Sequence, residues 1–444
     1  MNNIQIITTD QSKGQYWKQE AAAIRPQEDF IHVVNVYPEL QEQTIEGFGG
    51  AFTEAAAVSF DSLTDSEKEN FVESYFGNTG LRYNLGRMHM NSCDFALGNY
   101  TYVEEGDEDL HTFDIAHDRE RILPLVKQAL AKRGTEDFGL LISPWSPPAY
   151  MKTNGEMNHG GKLKEEYYRL WAEYYVHFIR ELRAEGLPVR YLTIQNEPEA
   201  AQTWDSCIYT AREEGRFAAE YLIPALERAG LGEIQVFIWD HNKENMYDRA
   251  RESFQVPGCR DGVSGVAMHW YTGDHFDAIR AVKKAFPEKK VFFTEGCVEY
   301  SRFADSGEVQ KAEMYAHDML GNLKAGMEAF LDWNLLLDTQ GGPNHVGNYC
   351  AAPVMCDGKG GIEKRLSYYY IGHFSRHIRA GAKQVMTTCY TDRLETLAFV
   401  NPDGERVIVI LNKGEEDLPL YLRENGEGIS LTAGAHSIKT ILLT

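Results

Sequence analysis

The sequence predicts an α/β fold: a (β/α)8 (TIM) barrel with an attached all-β sandwich formed by the N-terminal strands and the C-terminal segment. Three observations carry this. Eight short apolar runs alternate with amphipathic stretches through most of the chain. Several of those runs are apolar without a break, as strands covered on both faces should be. From residue 382 onward the pattern changes to short alternating runs separated by turn signals.

Taken in order, the eight strand-like runs are 45–51, 83–88, 139–143, 191–195, 234–239, 265–269, 290–294 and 329–333. The helical patterns between and after them cover 65–76, 118–132, 164–185, 210–229, 242–254, 274–286, 309–324 and 368–378. Strand followed by helix, eight times, is the arithmetic of a closed barrel. An open doubly wound sheet is the competing arrangement. It would carry a glycine-rich nucleotide turn after its first strand. Gly47-Phe48-Gly49-Gly50 has the wrong spacing for that and is read as close backbone packing. The tail gives strand-like runs at 384–389, 396–401, 406–412, 418–422, 428–431 and 437–443, with turns at Asn401-Pro402-Asp403-Gly404 and Asn425-Gly426. Near the other end, 4–8 and 30–36 are also strand-like. Chain termini often lie close together, so these are expected to complete the sandwich. The expected division is 1–42 joining the sandwich, 43–380 as the barrel and 381–444 as the sandwich.

Composition excludes several classes of function. The 444 residues carry a net charge of -22, which disfavours nucleic acid and anionic membrane surfaces as partners. No apolar run reaches the ~18 residues of a membrane span. Residues 1–10 lack the basic and apolar regions of a signal peptide. The seven cysteines are scattered, with no C-x-x-C pair and no zinc-like spacing. A cytoplasmic protein with free thiols is the expectation. The acidic run at 104–109 is read as a solvated loop.

The chemistry is expected at the carboxyl ends of the barrel strands, which open onto one face. Glu197 ends the run Leu192-Thr193-Ile194-Gln195-Asn196-Glu197-Pro198, and Glu295 ends Val291-Phe292-Phe293-Thr294-Glu295. Two carboxylates facing one sugar are the minimum equipment for cleaving a glycosidic bond. Around them, successive strand ends offer Arg87 with Asp94, Trp145, Asn196, Asp240 with His241, His269 with Tyr271, and Trp333. Arg87 and Tyr271 are candidates for holding Glu295 ionised. Glu197 is then expected to be the protonated partner, raised by burial and by its charged neighbour. Asn196 is placed to bond a sugar 2-hydroxyl, Trp145 and Trp333 to wall the ring, and Asp94 to accept from ring hydroxyls. His269 stands between a substrate contact and a satisfied core histidine. Asp240 and His241 lack a third group at metal-ligand spacing, so no metal is expected. No G-x-S-x-G elbow is present.

With these residues in view, the chain resembles glycoside hydrolase family 30, in the branch of the glucosylceramidases. The resemblance runs from about residue 43 to residue 443. It rests on an ordered set of motifs, among them Gly47-Phe48-Gly49-Gly50-Ala51-Phe52-Thr53, Ser143-Pro144-Trp145-Ser146-Pro147, Gln195-Asn196-Glu197-Pro198, His269-Trp270-Tyr271, Glu295-Gly296-Cys297, Asp332-Trp333-Asn334-Leu335 and Gly341-Gly342-Pro343-Asn344. It implies a retaining mechanism without a cofactor, with Glu197 as acid/base and Glu295 as nucleophile. It also implies that Asp94, Trp145, Asn196, Trp333 and Asn348 line the sugar subsite, and that Arg87 and Tyr271 lie near the nucleophile. The substrate it implies is a terminal β-D-glucoside, small, oligosaccharide or glycolipid. β-Xylosidase, β-1,6-glucanase and β-fucosidase activities of the same family are the alternatives. His345 stands where the mammalian lysosomal members carry an aromatic residue, which separates this chain from them at the pocket rim.

Overall fold

The computed structural model describes residues 3–25 and 32–444. Eight parallel strands close into a barrel. They are β1 (Gly47–Ala51), β2 (Leu85–Met90), β3 (Gly139–Pro144), β4 (Val189–Thr193), β5 (Gln235–Asn242), β6 (Gly265–His269), β7 (Lys290–Glu295) and β8 (Ala329–Asp332). Each pairs with its sequence neighbour, and β8 closes on β1 through Ala329↔Gly47 to Asp332↔Gly50. The barrel interior is filled by Leu85, Leu141, Tyr191, Phe237, Ala267, Phe292, Ala329 and Leu331, so the barrel has a packed floor and the open space lies only above it. A Cβ on Gly49 would meet the carbonyl oxygen of Leu85 at 2.2 Å. Close strand approach therefore accounts for the glycine run, as its spacing suggested.

Two helical patterns are interrupted where a proline falls inside them. The stretch 118–132 is two helices, Ala116–Arg121 and Leu123–Arg133, with Pro124 in the first turn of the second. The stretch 210–229 runs as Ala211–Arg216, a π-helical turn Phe217–Leu222, and Ile223–Arg228 with Pro224 near its start. Proline has no N–H to donate and crowds the preceding turn, so the ladder breaks or widens there. The first of these segments is set by a capping box in which Thr210 and Glu213 bond each other's backbone N–H.

The second sheet has nine strands in the order 15–22, 4–10, 437–443, 406–412, 395–400, 383–389, 33–44, 418–424, 427–433. The N-terminal strand Ile4–Asp10 lies antiparallel to Ser437–Leu443, from Ile4↔Leu443 to Asp10↔Ser437. Val33–Thr44 is inserted between Lys383–Cys389 and Leu418–Glu424. Of the strand-like run 30–36, residues 30 and 31 lie outside the described residues. The strand Gln15–Ala22 had no clear signal. Its sequence QYWKQEAA is mostly polar and exposed, as an edge strand tolerates. All seven cysteines are free. Among the described residues, no helix is long and apolar enough to cross a membrane.

Barrel and sandwich meet along the helices Glu308–Ala325 and Leu366–Ser375. Trp17 Nε1 donates to the Tyr369 carbonyl at 2.8 Å, and each ring nitrogen of buried His373 lies 2.9 Å from a threonine hydroxyl, of Thr440 or Thr9. Two half-buried histidines on this seam face carboxylates. His317 reaches Glu395 at 2.8 Å and Asp274 at 3.1 Å, with Lys413 beside Glu395, and His436 reaches Glu313 at 2.9 Å. The bond to Glu395 raises the pKa of His317, and the bond to Glu313 raises that of His436. A raised base stabilises the fold fully below its unfolded pKa of ~6.5 and loses that contribution as pH rises through its folded value. The expected result is that His317→Asn lowers the melting temperature more at pH 6 than at pH 8. A difference independent of pH across that window would contradict the ion-pair account of the seam.

Candidate active site

Every group of interest sits where a barrel strand gives way to its loop. β7 delivers Glu295 directly. β4 continues past Thr193 through two further ladder bonds, Asn196 N to the Pro144 carbonyl and Glu197 N to the Asp240 carbonyl, both 2.9 Å. Glu197 itself takes the left-handed backbone (φ 47), which turns its side chain back across the mouth. On β5 the pairing with β6 slips between Trp239 and His241, and Trp239 and Asp240 have φ of 76 and 47. This bulge re-aims two consecutive side chains near the carboxyl end of the strand.

Arg87, wholly buried on β2, organises the floor of the site. It donates to Glu295 Oε2 at 2.6 Å, to Asp240 Oδ2 at 2.9 Å, to Asn196 Oδ1 at 2.9 Å and to Ser143 Oγ at 3.1 Å. Its guanidinium carbon lies 4.7 Å from the ring of Trp145 and 5.5 Å from that of Trp333, which stack on each other at 5.3 Å. The other oxygen of Glu295 accepts from the Tyr271 hydroxyl at 2.9 Å. Glu197 is held less tightly, by His269 Nδ1 at 3.2 Å and Gln202 Nε2 at 3.5 Å. His269 bridges on to Asp240 Oδ1 at 3.0 Å, and Asp240 also accepts from the hydroxyls of Thr193 and Thr294. One oxygen of Glu197, one of Glu295 and one nitrogen of His269 lie within 4.8 Å of one another.

The pocket above has a volume of about 170 Å³ and admits a sugar ring. Eight of the ten candidate residues line it: Asp94, Trp145, Asn196, Glu197, Tyr271, Glu295, Trp333 and Asn348. Asn348 donates to Asp94 Oδ2 at 3.0 Å, tying the 341–348 loop to the β2 loop. Arg87 and His269, the other two candidates, do not line the pocket: both have no exposed surface and stand behind the carboxyls they bond, so neither is a substrate contact. Gln202, Trp204, Asn242, Glu299, Cys297 and Cys350 also line the pocket and were not singled out. Asn242 closes β5 and the others lie beyond the barrel strand ends, and only the aromatic Trp204, soon after Asn-Glu-Pro, carried a signal.

The two carboxyls are shifted in the directions opposite to those expected. Burial pushes Glu197 up, but the hydrogen bond from His269 and the neighbouring His241 outweigh it, and its pKa falls below the ordinary value. Burial raises Glu295, and the Glu197 charge adds to it, against the pull of His269 and Arg87. Burial alone would lower His269, but the charge of Glu295 and the bonds to Asp240 and Glu197 lift it to about 9. Asp240 runs the other way: burial is overcome by Arg87 and His269, and it stays ionised. The Glu197–His269–Glu295 cluster has the spacing of a metal site. Its donors are already engaged within the protein: His269 by Glu197 and Asp240, and Glu295 by Arg87 and Tyr271.

Two facing carboxyls at the carboxyl end of a parallel barrel, floored by an arginine and walled by two tryptophans, place the protein among the barrel glycoside hydrolases. Comparison with known proteins agrees. Residues 45–378 match the glycosyl hydrolase family 30 TIM-barrel domain, and residues 381–441 match the glycosyl hydrolase family 30 beta sandwich domain. The chain belongs to glycoside hydrolase family 30. It is 31% identical to the lysosomal acid glucosylceramidase of Mus musculus over 430 residues, covering 92% of this chain and 83% of the relative. Among solved structures it is similar to SrfJ from Salmonella typhimurium (40% identity, TM-score 0.96, 99% of both chains). It is also similar to the endo-beta1,6-glucanase BT3312 (25% identity, TM-score 0.89, 99% of both chains).

Proposed function

We propose that the protein is a retaining, exo-acting β-glycosidase that hydrolyses terminal β-D-glucosides by double displacement. The observation that carries this is the approach of the two carboxyls within 4.8 Å in a pocket that admits a sugar ring. Retaining pairs stand ~5–5.5 Å apart, whereas inverting pairs leave ~6.5–9.5 Å for a water between them. Glu295, held at both oxygens, attacks the anomeric carbon. Glu197 gives its proton to the glycosidic oxygen as that bond breaks. In the second half, Glu197 takes a proton from water, the water oxygen attacks the same carbon, and Glu295 leaves.

The reversed resting order fits this mechanism through His269. With His269 protonated, one proton lies on its bond to Glu197. Moving it across 3.2 Å gives a neutral imidazole, still bonded to Asp240, and a protonated Glu197. A sugar ring that excludes water from Glu295, beside Arg87, favours the charge there and the proton on Glu197. His269→Gln is therefore expected to move the alkaline limb of kcat/KM to lower pH, because the shared proton is then held by a carboxyl alone. An unmoved limb would remove His269 from the proton path.

The test of the whole reading is the anomer first released from an aryl β-glucoside, followed by proton NMR. β-Glucose supports it, and α-glucose overturns the retaining assignment. A panel of aryl β-glucosides, xylosides and fucosides decides the sugar. The second reading, endo-acting β-1,6-glucanase, is favoured by the similarity to BT3312. It predicts oligosaccharides rather than glucose as first products from a β-1,6-glucan.

A further inference from the structure

One imidazole in the pocket wall has no partner. His241 follows the β5 bulge, and the bulge separates its task from that of Asp240. Asp240 is turned down among Arg87, Thr193, Thr294 and His269, whereas His241 joins the pocket lining. Among the described residues neither nitrogen of His241 makes a hydrogen bond. Nδ1 is buried and lies 3.7 Å from Glu197 Oε1, too far for a bond. The ring packs on Trp239 at 4.9 Å, which fixes its plane. Nδ1 is turned toward Glu197, whereas Nε2 is unbonded and not buried, and an accessible imidazole nitrogen in a pocket wall is a contact that a ligand can take.

The two sides of the pocket differ in chemistry. Trp145 and Trp333 stack by Arg87 next to Glu295, and Asp94 and Asn348 bond each other in the lining. Glu197, which serves the leaving group, has Gln202 at 3.5 Å and His241 at 3.7 Å, and Trp204, two residues after Gln202, also lines the pocket. That is one aromatic face with several polar groups, the composition that receives a second sugar ring rather than an alkyl chain. The groups whose charge acts on His241 are Glu197, His269, Glu244 and Glu199. Burial nonetheless lowers its pKa, which favours the neutral imidazole, and the accessible Nε2 then donates or accepts according to the tautomer. A hydroxyl group is the matching partner.

We infer that His241 is a specificity-determining residue for the leaving group, bonding a hydroxyl of a second sugar ring seated against Trp204. This rests on the glycosidase reading above and extends it to the leaving group. The test compares two substrates whose leaving groups are both primary alcohols: the β-1,6-linked glucosyl-glucose disaccharide and n-octyl β-glucoside. Both need the proton of Glu197 to a similar degree, and only the first has hydroxyls to offer His241. His241→Leu is expected to lower kcat/KM for the disaccharide at least tenfold more than for the octyl glucoside, and His241→Asn to recover part of the difference. Equal losses on the two substrates would mean that His241 acts only through Glu197, and would overturn the inference. So would a wild-type enzyme that prefers the octyl glucoside. A wild-type enzyme inactive on every β-glucoside, aryl glucosides included, would instead overturn the reading beneath it.

Discussion

Glu295→Gln is expected to abolish turnover while leaving the fold intact. The amide cannot form the glycosyl ester, and the barrier rises by the whole of the covalent route. A fall of at least ~10⁴-fold in kcat corresponds to ~5 kcal/mol. The fold survives because Arg87 keeps its bonds to Asp240, Asn196 and Ser143, and the amide oxygen remains an acceptor for it. The measurement is kcat on an aryl β-glucoside beside a thermal unfolding curve. Wild-type activity in the variant would refute the assignment of the nucleophile. A 2-fluoroglucoside, which slows the second half-reaction, should leave its label on the peptide containing Glu295 in the wild-type protein. A label on the peptide containing Glu197 would exchange the two roles.

Arg87→Met is expected to have the largest effect on stability. Arg87 is the buried cation between two carboxylates, and its removal leaves Glu295 without its cation and wholly buried Asp240 with His269 alone as a cationic partner. Breaking a buried pair from one side costs about 3–5 kcal/mol. The melting temperature should fall by several degrees, with activity lost at temperatures where the variant is still folded. Arg87→Lys should not restore the site, because one ammonium cannot reproduce a planar fork bonding Glu295 through one nitrogen and Asp240 and Asn196 through another. A melting temperature unchanged in Arg87→Met would show that water or rearrangement neutralises the two carboxylates.

Much of this site was legible before any coordinates, for a specific reason. In a parallel barrel every strand ends on the same face, so a polar residue closing an apolar run is already placed by topology. Glu197, Glu295, Trp145 and Trp333 were found that way. The role of Asp240 was not, because the bulge that turns it inward is a backbone event with no side-chain signature. Its pairing with Arg87 and His269 spans three strands. The resting protonation order was also misjudged. It depends on a histidine whose own proton is held by Glu295, Asp240 and Glu197 together, a coupling that spacing along a chain does not express. The helix breaks at Pro124 and Pro224 were legible in principle, since both prolines lie inside otherwise helical patterns. The strand Gln15–Ala22 was not, since an exposed edge has no apolar alternation to show.

The order of strands in the large sheet has a consequence for how this molecule is made. Ile4–Asp10 pairs with Ser437–Leu443, so a strand synthesised before the barrel must wait for one synthesised after it. Residues 45–378 can meanwhile settle into the barrel with near neighbours in sequence. The hairpin formed by Ile4–Asp10 and Gln15–Ala22 keeps an open edge until its partner arrives, an interval in which a stray β-strand can take that place.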